Sequence, residues 1–172
     1  MNEVQTALVA PYAVDGRVDN VFRTVVRYPE LMKRWLPFVN HVLLKSALSL
    51  RQREILILRT GWLCRSEYEW AQHVRGGKRA GLSDADIACI MAGDGLSGDE
   101  DLLLCAADEL HRDNRIGAST WAALSQMFSE QQLMDIVFAV GQYTMVSMVL
   151  NTLGIEVDEN LRGYPPLPAK AG

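Results

Sequence analysis

Arg51-Gln52-Arg53-Glu54-Ile55-Leu56-Ile57-Leu58-Arg59 decides how the rest of the chain is read. Its four consecutive apolar residues fit a buried strand as well as a buried helix. The polar run from Arg51 to Glu54 favours helix, and no second stretch offers a strand to pair with. A helix that is apolar on every side has to lie in the middle of a core. Ser49 opens it, with Gln52 only a weak imitation of a capping box, and Gly61 permits a close helix approach. The fold class is therefore all-α, a helical bundle built around this segment.

Working outward, Pro11 and Gly16 make residues 1–18 an extended arm. Asp19 caps a short helix to about Val26, and Pro29 opens the next at its first position. Pro37 should kink or break that helix before Leu44. Downstream, helices are expected from Ser66 to Gly81, Ser83 to about Ala92, and Asp99 to about Arg112. Two more run from Ala118 to Phe128 and from about Glu130 to Leu153, the last closed by Gly154. Tyr164-Pro165-Pro166-Leu167-Pro168 cannot be helical. The organisation is an arm (1–18), one helical domain (19–160) and a Pro-rich tail (161–172).

A chain of 172 residues with 49% hydrophobic content is long enough for one domain with a real core. A net charge of −4 gives no drive toward nucleic acid or anionic membrane, so neither is expected as a partner. Three scattered cysteines, Cys64, Cys89 and Cys105, form no disulfide framework and no Cys-x-x-Cys pair. They read as small buried residues. Asn2, Glu3 and Gln5 interrupt any leader-like apolar run, and Gln142, Thr144 and Ser147 break the apolar stretch Ile136 to Leu150. That stretch reads as a core helix, and a cytoplasmic protein is expected.

Chemistry gathers just past the central segment. Ser66, Glu69 and His73 stand at i, i+3 and i+7, which an α-helix places at about 0°, 300° and 340°. A hydroxyl, an acid and an imidazole thus share one narrow face. The bland explanation is a Ser66/Glu69 capping box with a Glu69/His73 surface ion pair. Glu54 changes the balance. It is the last charge before the apolar run, and a carboxylate at the edge of a core needs a partner. His73 on the adjoining helix is a candidate; Arg51 or Arg53 at the surface is the alternative. A Glu54–His73 pair would fix one tautomer and raise the imidazole pKa, as a general acid/base requires. The same three residues are a weak metal set, because His41 and His111 have no ligand spacing with them. No metal or cofactor is expected, and Tyr68 and Trp70 beside the stripe suit packing. There is no phosphate-binding Gly loop and no Gly-x-Ser-x-Gly elbow.

Arg53-Glu54-Ile55-Leu56-Ile57-Leu58-Arg59, Tyr68-Glu69-Trp70-Ala71-Gln72-His73 and Gly81-Leu82-Ser83 resemble the carboxymuconolactone decarboxylase family, whose superfamily includes the alkylhydroperoxidase AhpD. Phe138-x-x-x-Gln142-Tyr143 and Asn151-x-x-Gly154 are similar to its last helix. The resemblance implies an all-helical AhpD-like bundle assembled as a homo-oligomer, a trimer or hexamer. In the peroxidase branch the motif is Cys-x-x-Cys-x-x-x-His with an upstream glutamate. Here Ser66 and Glu69 occupy the two cysteine places, while His73 and Glu54 match the histidine and the glutamate. A dithiol cycle needs two thiols close enough to form a disulfide, and Cys64 has no other cysteine near it in sequence. In the decarboxylase branch the substrate is a small carboxylated lactone. The resemblance then implies a cofactor-independent lyase or proton-transfer enzyme with His73, Glu54 and Glu69 catalytic. Ser66, Tyr68, Arg53 and Arg59 would bind substrate, the arginines neutralising its carboxylate. The alternatives are an AhpD-type peroxidase and a non-catalytic oligomeric binding protein.

Overall fold

The computed structural model describes residues 1–161. They form helices and, apart from one isolated bridge between Val14 and Arg17, no extended pairing. In chain order the α-helices are α1 (Glu3–Val9), α2 (Asn20–Val25), α3 (Pro29–Asn40) and α4 (Leu50–Leu63). Then come α5 (Glu67–Arg79), α6 (Asp84–Ala92), α7 (Asp99–Asp113), α8 (Ala118–Met127) and α9 (Glu130–Thr152). The Pro-rich tail expected over 161–172 lies, but for Leu161, outside the described residues.

Helix α4 is the centre of the bundle. Ile55, Leu56, Ile57 and Leu58 are all 0% exposed, which explains a run with no polar face. Each such side chain contributes roughly 1.5–3 kcal/mol through burial. The start of α4 is firmer than its sequence promised: Ser49 and Gln52 form a complete capping box. Helices α5, α7 and α9 pack around it. A Cβ on Gly61 would lie 3.3 Å from the Glu69 Cβ, so the missing side chain lets α5 approach closely. Arg65 takes a left-handed conformation at φ 52°, and the Ser66 N–H bonds the Gly61 carbonyl at 2.9 Å, closing α4 tightly before α5. Glu54 and His73 therefore sit on adjacent helices joined by a short turn.

Three expectations are corrected. The N-terminal arm is not extended: Asn2 and Gln5 form a capping box that starts α1, and Pro11 sits at the first turn of a 3-10 helix, Ala10–Tyr12. Val9 buries against Val26, Met32 and Leu36. Pro37 does not break α3. The helix runs through it and loosens only afterwards, in a π turn at His41–Lys45. Cys105 is exposed rather than buried, and Cys64 and Cys89 are only partly covered.

Helix α9 ends as expected, with Gly154 left-handed and the Ile155 N–H returning to the Leu150 carbonyl. It is long and apolar enough to cross a membrane, yet half of its most apolar window is packed inside the bundle. The other side shows Met134, Phe138, Met145 and Met148 to solvent.

Candidate active site

Helix α5 brings His73 to face α4. Its Nδ1 lies 2.8 Å from Glu54 Oε2, and its Nε2 lies 3.3 Å from Glu69 Oε2, one turn back on α5. The carboxylates keep only 9% and 7% side-chain exposure and the imidazole 14%. Burial alone would drive the proton off the ring. The charges and hydrogen bonds of Glu54 and Glu69 outweigh it, and the His73 pKa rises to about 10. The ring is thus an imidazolium across the neutral range. Its Nδ1–H is committed to Glu54 in a short charge-assisted bond. The Nε2 contact is longer, which leaves that proton the easier one to pass on.

Two neighbours shape this pair. Gly76, one turn after His73, is bare where a Cβ would come within 3.0 Å of Glu54 Oε2 and 3.2 Å of its Cδ. The bare position leaves the carboxylate room to reach His73. Tyr143 of α9 packs edge-on against the imidazole, with ring centroids 4.9 Å apart at 87°. Burial, then the nearby Glu69 and Glu54, holds the Tyr143 hydroxyl protonated far above its ordinary range.

Glu54, Glu69, His73, Gly76 and Tyr143 line a cavity of about 230 Å3. Trp35, Val39 and Leu43 close one side, Gln142 and Val146 another, and Arg75, Arg79 and Asp19 also line it. Burial, and behind it the nearby Asp158, raises the Asp19 carboxyl above its ordinary range, with Arg75 opposing.

The structure brings together Glu54, Glu69, His73 and Tyr68 of the residues singled out by sequence. Tyr68 lines the cavity, but its hydroxyl is engaged elsewhere. It donates to Asp158 at 2.6 Å and accepts from the Val21 N–H at 3.2 Å. Ser66, Arg53 and Arg59 are not among the lining residues. Ser66 is the N-cap of α5 without the capping box: its Oγ is buried and has no partner among the described residues, its N–H goes to the Gly61 carbonyl, and Glu69 turns to His73. Arg59 is structural. It grips Asp108 through Nε and Nη2 at 2.5 and 2.8 Å and the carbonyls of Ile90 and Met91 at 2.9 Å. Arg51 is not the partner of Glu54; it pairs with Glu100 and Asp86. Sequence reasoning missed Gly76, Trp35 and Gln142. Gly76 carried a signal, since paired glycines inside a helix cost stability and call for a packing reason, and Gln142 stood in the stretch that resembles the family's last helix.

Residues 29–107, which hold Trp35, Glu54, Glu69, His73 and Gly76, match the carboxymuconolactone decarboxylase family. Solved structures share the fold. A peroxidase-related protein from Silicibacter sp. TM1040 superposes with a TM-score of 0.82 at 18% identity, over 94% of this chain and 87% of that one. A peroxidase-related protein with an AhpD core from Ralstonia eutropha JMP134 gives 0.80 at 15% identity, over 92% and 87%. A protein of unknown function from Agrobacterium tumefaciens gives 0.72 at 18%, over 78% and 95%. No curated protein matches the sequence. The chain therefore has an AhpD-like helical fold with a carboxymuconolactone decarboxylase family segment at its centre.

Proposed function

We propose that this protein is a cofactor-independent lyase or proton-transfer enzyme acting on a small carboxylated, lactone-type substrate. One observation carries the reading: an imidazole clamped between Glu54 and Glu69 stands on the wall of a cavity in an otherwise apolar bundle. In a decarboxylation the bond from carbon to carboxylate breaks and CO2 leaves. The electron pair stays on carbon, and His73 delivers its Nε2 proton there, recovering one from solvent afterwards. Glu54 holds the ring and keeps it charged. Glu69 guides the transferred proton. The substrate carboxylate falls to Arg79, an exposed side chain that lines the cavity, with Arg75 beside it. His73→Gln should lower turnover of a carboxylated lactone by about 10²–10⁴-fold in protein that circular dichroism shows still helical at the assay temperature. Undiminished turnover in that variant defeats the reading.

The names of two structural neighbours favour a peroxidase instead. Against it, Ser66 and Glu69 hold the thiol places, and Cys64 is a single thiol whose pKa burial pushes up. Hydroperoxide reduction that disappears in Cys64→Ser would favour that second reading. The apolar side of α9 supports assembly into a homo-oligomer.

A further inference from the structure

Helix α9 leaves one face uncovered, and the pattern on that face is ordered. Between Met134 and Met148 the exposed positions are Met134, Val137, Phe138, Gly141, Met145 and Met148, none of them polar. Met134, Phe138, Met145 and Met148 are 43% to 63% exposed. Positions 134, 138, 141, 145 and 148 alternate steps of four and three, the heptad period of two helices packed along a seam. Gly141 stands at the centre of that seam. Glycine is unfavourable inside a helix and calls for a packing reason. Gly61 and Gly76 have theirs within the chain, where a Cβ would press on Glu69 and Glu54. A Cβ on Gly141 would meet nothing within 4 Å. Its bare backbone is open to the outside, where a second molecule can approach it closely.

The exposed positions are also symmetric about Gly141. Val137 and Met145 lie four residues to either side, Met134 and Met148 seven, and the exposed Gln131 and Asn151 ten. A two-fold axis at Gly141 lays a second α9 antiparallel on the first and sets these positions opposite one another, apolar on apolar and amide on amide. Phe138 then falls beside Met145 of the second copy, a sulfur–aromatic contact. No charged residue is exposed between Gln131 and Asn151, so closing the face strands no charge. A foreign helix or a bilayer requires an apolar face but no symmetry within it. Resting on the reading of this chain as a homo-oligomer, we propose that α9 is a two-fold interface, antiparallel to the α9 of a second copy and crossing it at Gly141. Five side chains from each copy, at roughly 100 Å2 apiece, bury on the order of 1,000 Å2, the size at which a specific contact becomes stable. A two-fold contact fits a dimer or a hexamer and excludes a cyclic trimer.

Light scattering and disulfide trapping on the full chain test this together. The unaltered protein should have the mass of an even number of copies. In a Cys105→Ser background, which removes the exposed native thiol, Gly141→Cys should form a disulfide-linked pair with oxidised glutathione as the oxidant. Gly141→Leu should weaken self-association at least about tenfold while α9 stays helical, because a side chain there has room in its own chain and none against a second copy. A monomer overturns the interface and the homo-oligomer reading alike, whether or not it binds phosphatidylcholine vesicles. Three results overturn the α9 pairing and leave assembly standing: an odd number of copies, a Gly141→Cys thiol that stays reduced, or self-association untouched by Gly141→Leu.

Discussion

The two ends of α4 put the same residue type under the same burial and treat it differently. Arg53 and Arg59 are each 6% exposed. Arg59 is saturated, with Asp108 in a two-pronged grip and two backbone carbonyls besides. Gly93 bends aside for it: a Cβ there, at φ +95°, would fall on the guanidinium. At the other end the Arg53 Nε has no partner among the described residues. Glu54 turns to His73, and among the residues lining the cavity beyond, Trp35 Nε1 and Gln142 Oε1 are buried with no partner among the described residues. Groups that only hold structure together are satisfied within the chain. The Arg59 end meets that standard and the Glu54 end does not. Burial alone therefore says little about a charged residue; where its hydrogen bonds go separates a scaffold from a site.

Removing the saturated end should have the largest effect on stability. Arg59→Met strips Asp108 and two carbonyls of their partner and should cost about 3 kcal/mol in denaturant unfolding. It should leave the titration of His73 untouched. A loss under about 1 kcal/mol, or a shifted His73 titration, would blur the contrast between the two ends.

The site end should show itself through pH, with a contribution on the order of a few kcal/mol. The His73 pKa is raised from 6.5 unfolded to about 10 folded. A raised folded value means the folded state holds the proton more tightly. That stabilisation is fully present below pH 6.5 and is lost as the pH rises through about 10. His73→Gln should flatten this alkaline decline; an unchanged slope would separate the decline from His73.

Gly76→Ala is the smallest intervention. Its methyl would press on the Glu54 carboxylate at 3.0 Å, costing about 1 kcal/mol and weakening the clamp on His73. The imidazole pKa should fall toward 6.5. A variant with unchanged stability and pKa would show that the carboxylate has room to move.

Much of this was legible in the sequence, for physical reasons that can be named. The all-round apolar run of α4 could only be central, and the helix expected from Ser83 to about Ala92 formed there, opened by a Ser83/Asp86 capping box. Glu54 at the edge of a core demanded a partner, and His73 was the acid–base group within reach. What failed was local pattern overruled by distant geometry. Ser66 and Glu69 have the spacing of a capping box, but His73 competes for the same carboxylate and wins. Arg59 looked free to bind an anion because Asp108, its partner, lies 49 residues away. Trp35 is unremarkable in sequence and Gln142 stood out only through the family resemblance; their place on the cavity wall follows from how α3 and α9 pack.

The central claim is that Glu54 and Glu69 hold His73 as an imidazolium. Direct NMR titration of the His73 ring measures it: the ring should stay protonated through neutrality and lose its proton near pH 10. Titration near the ordinary 6.5 would contradict the claim and leave the cavity without its proton donor.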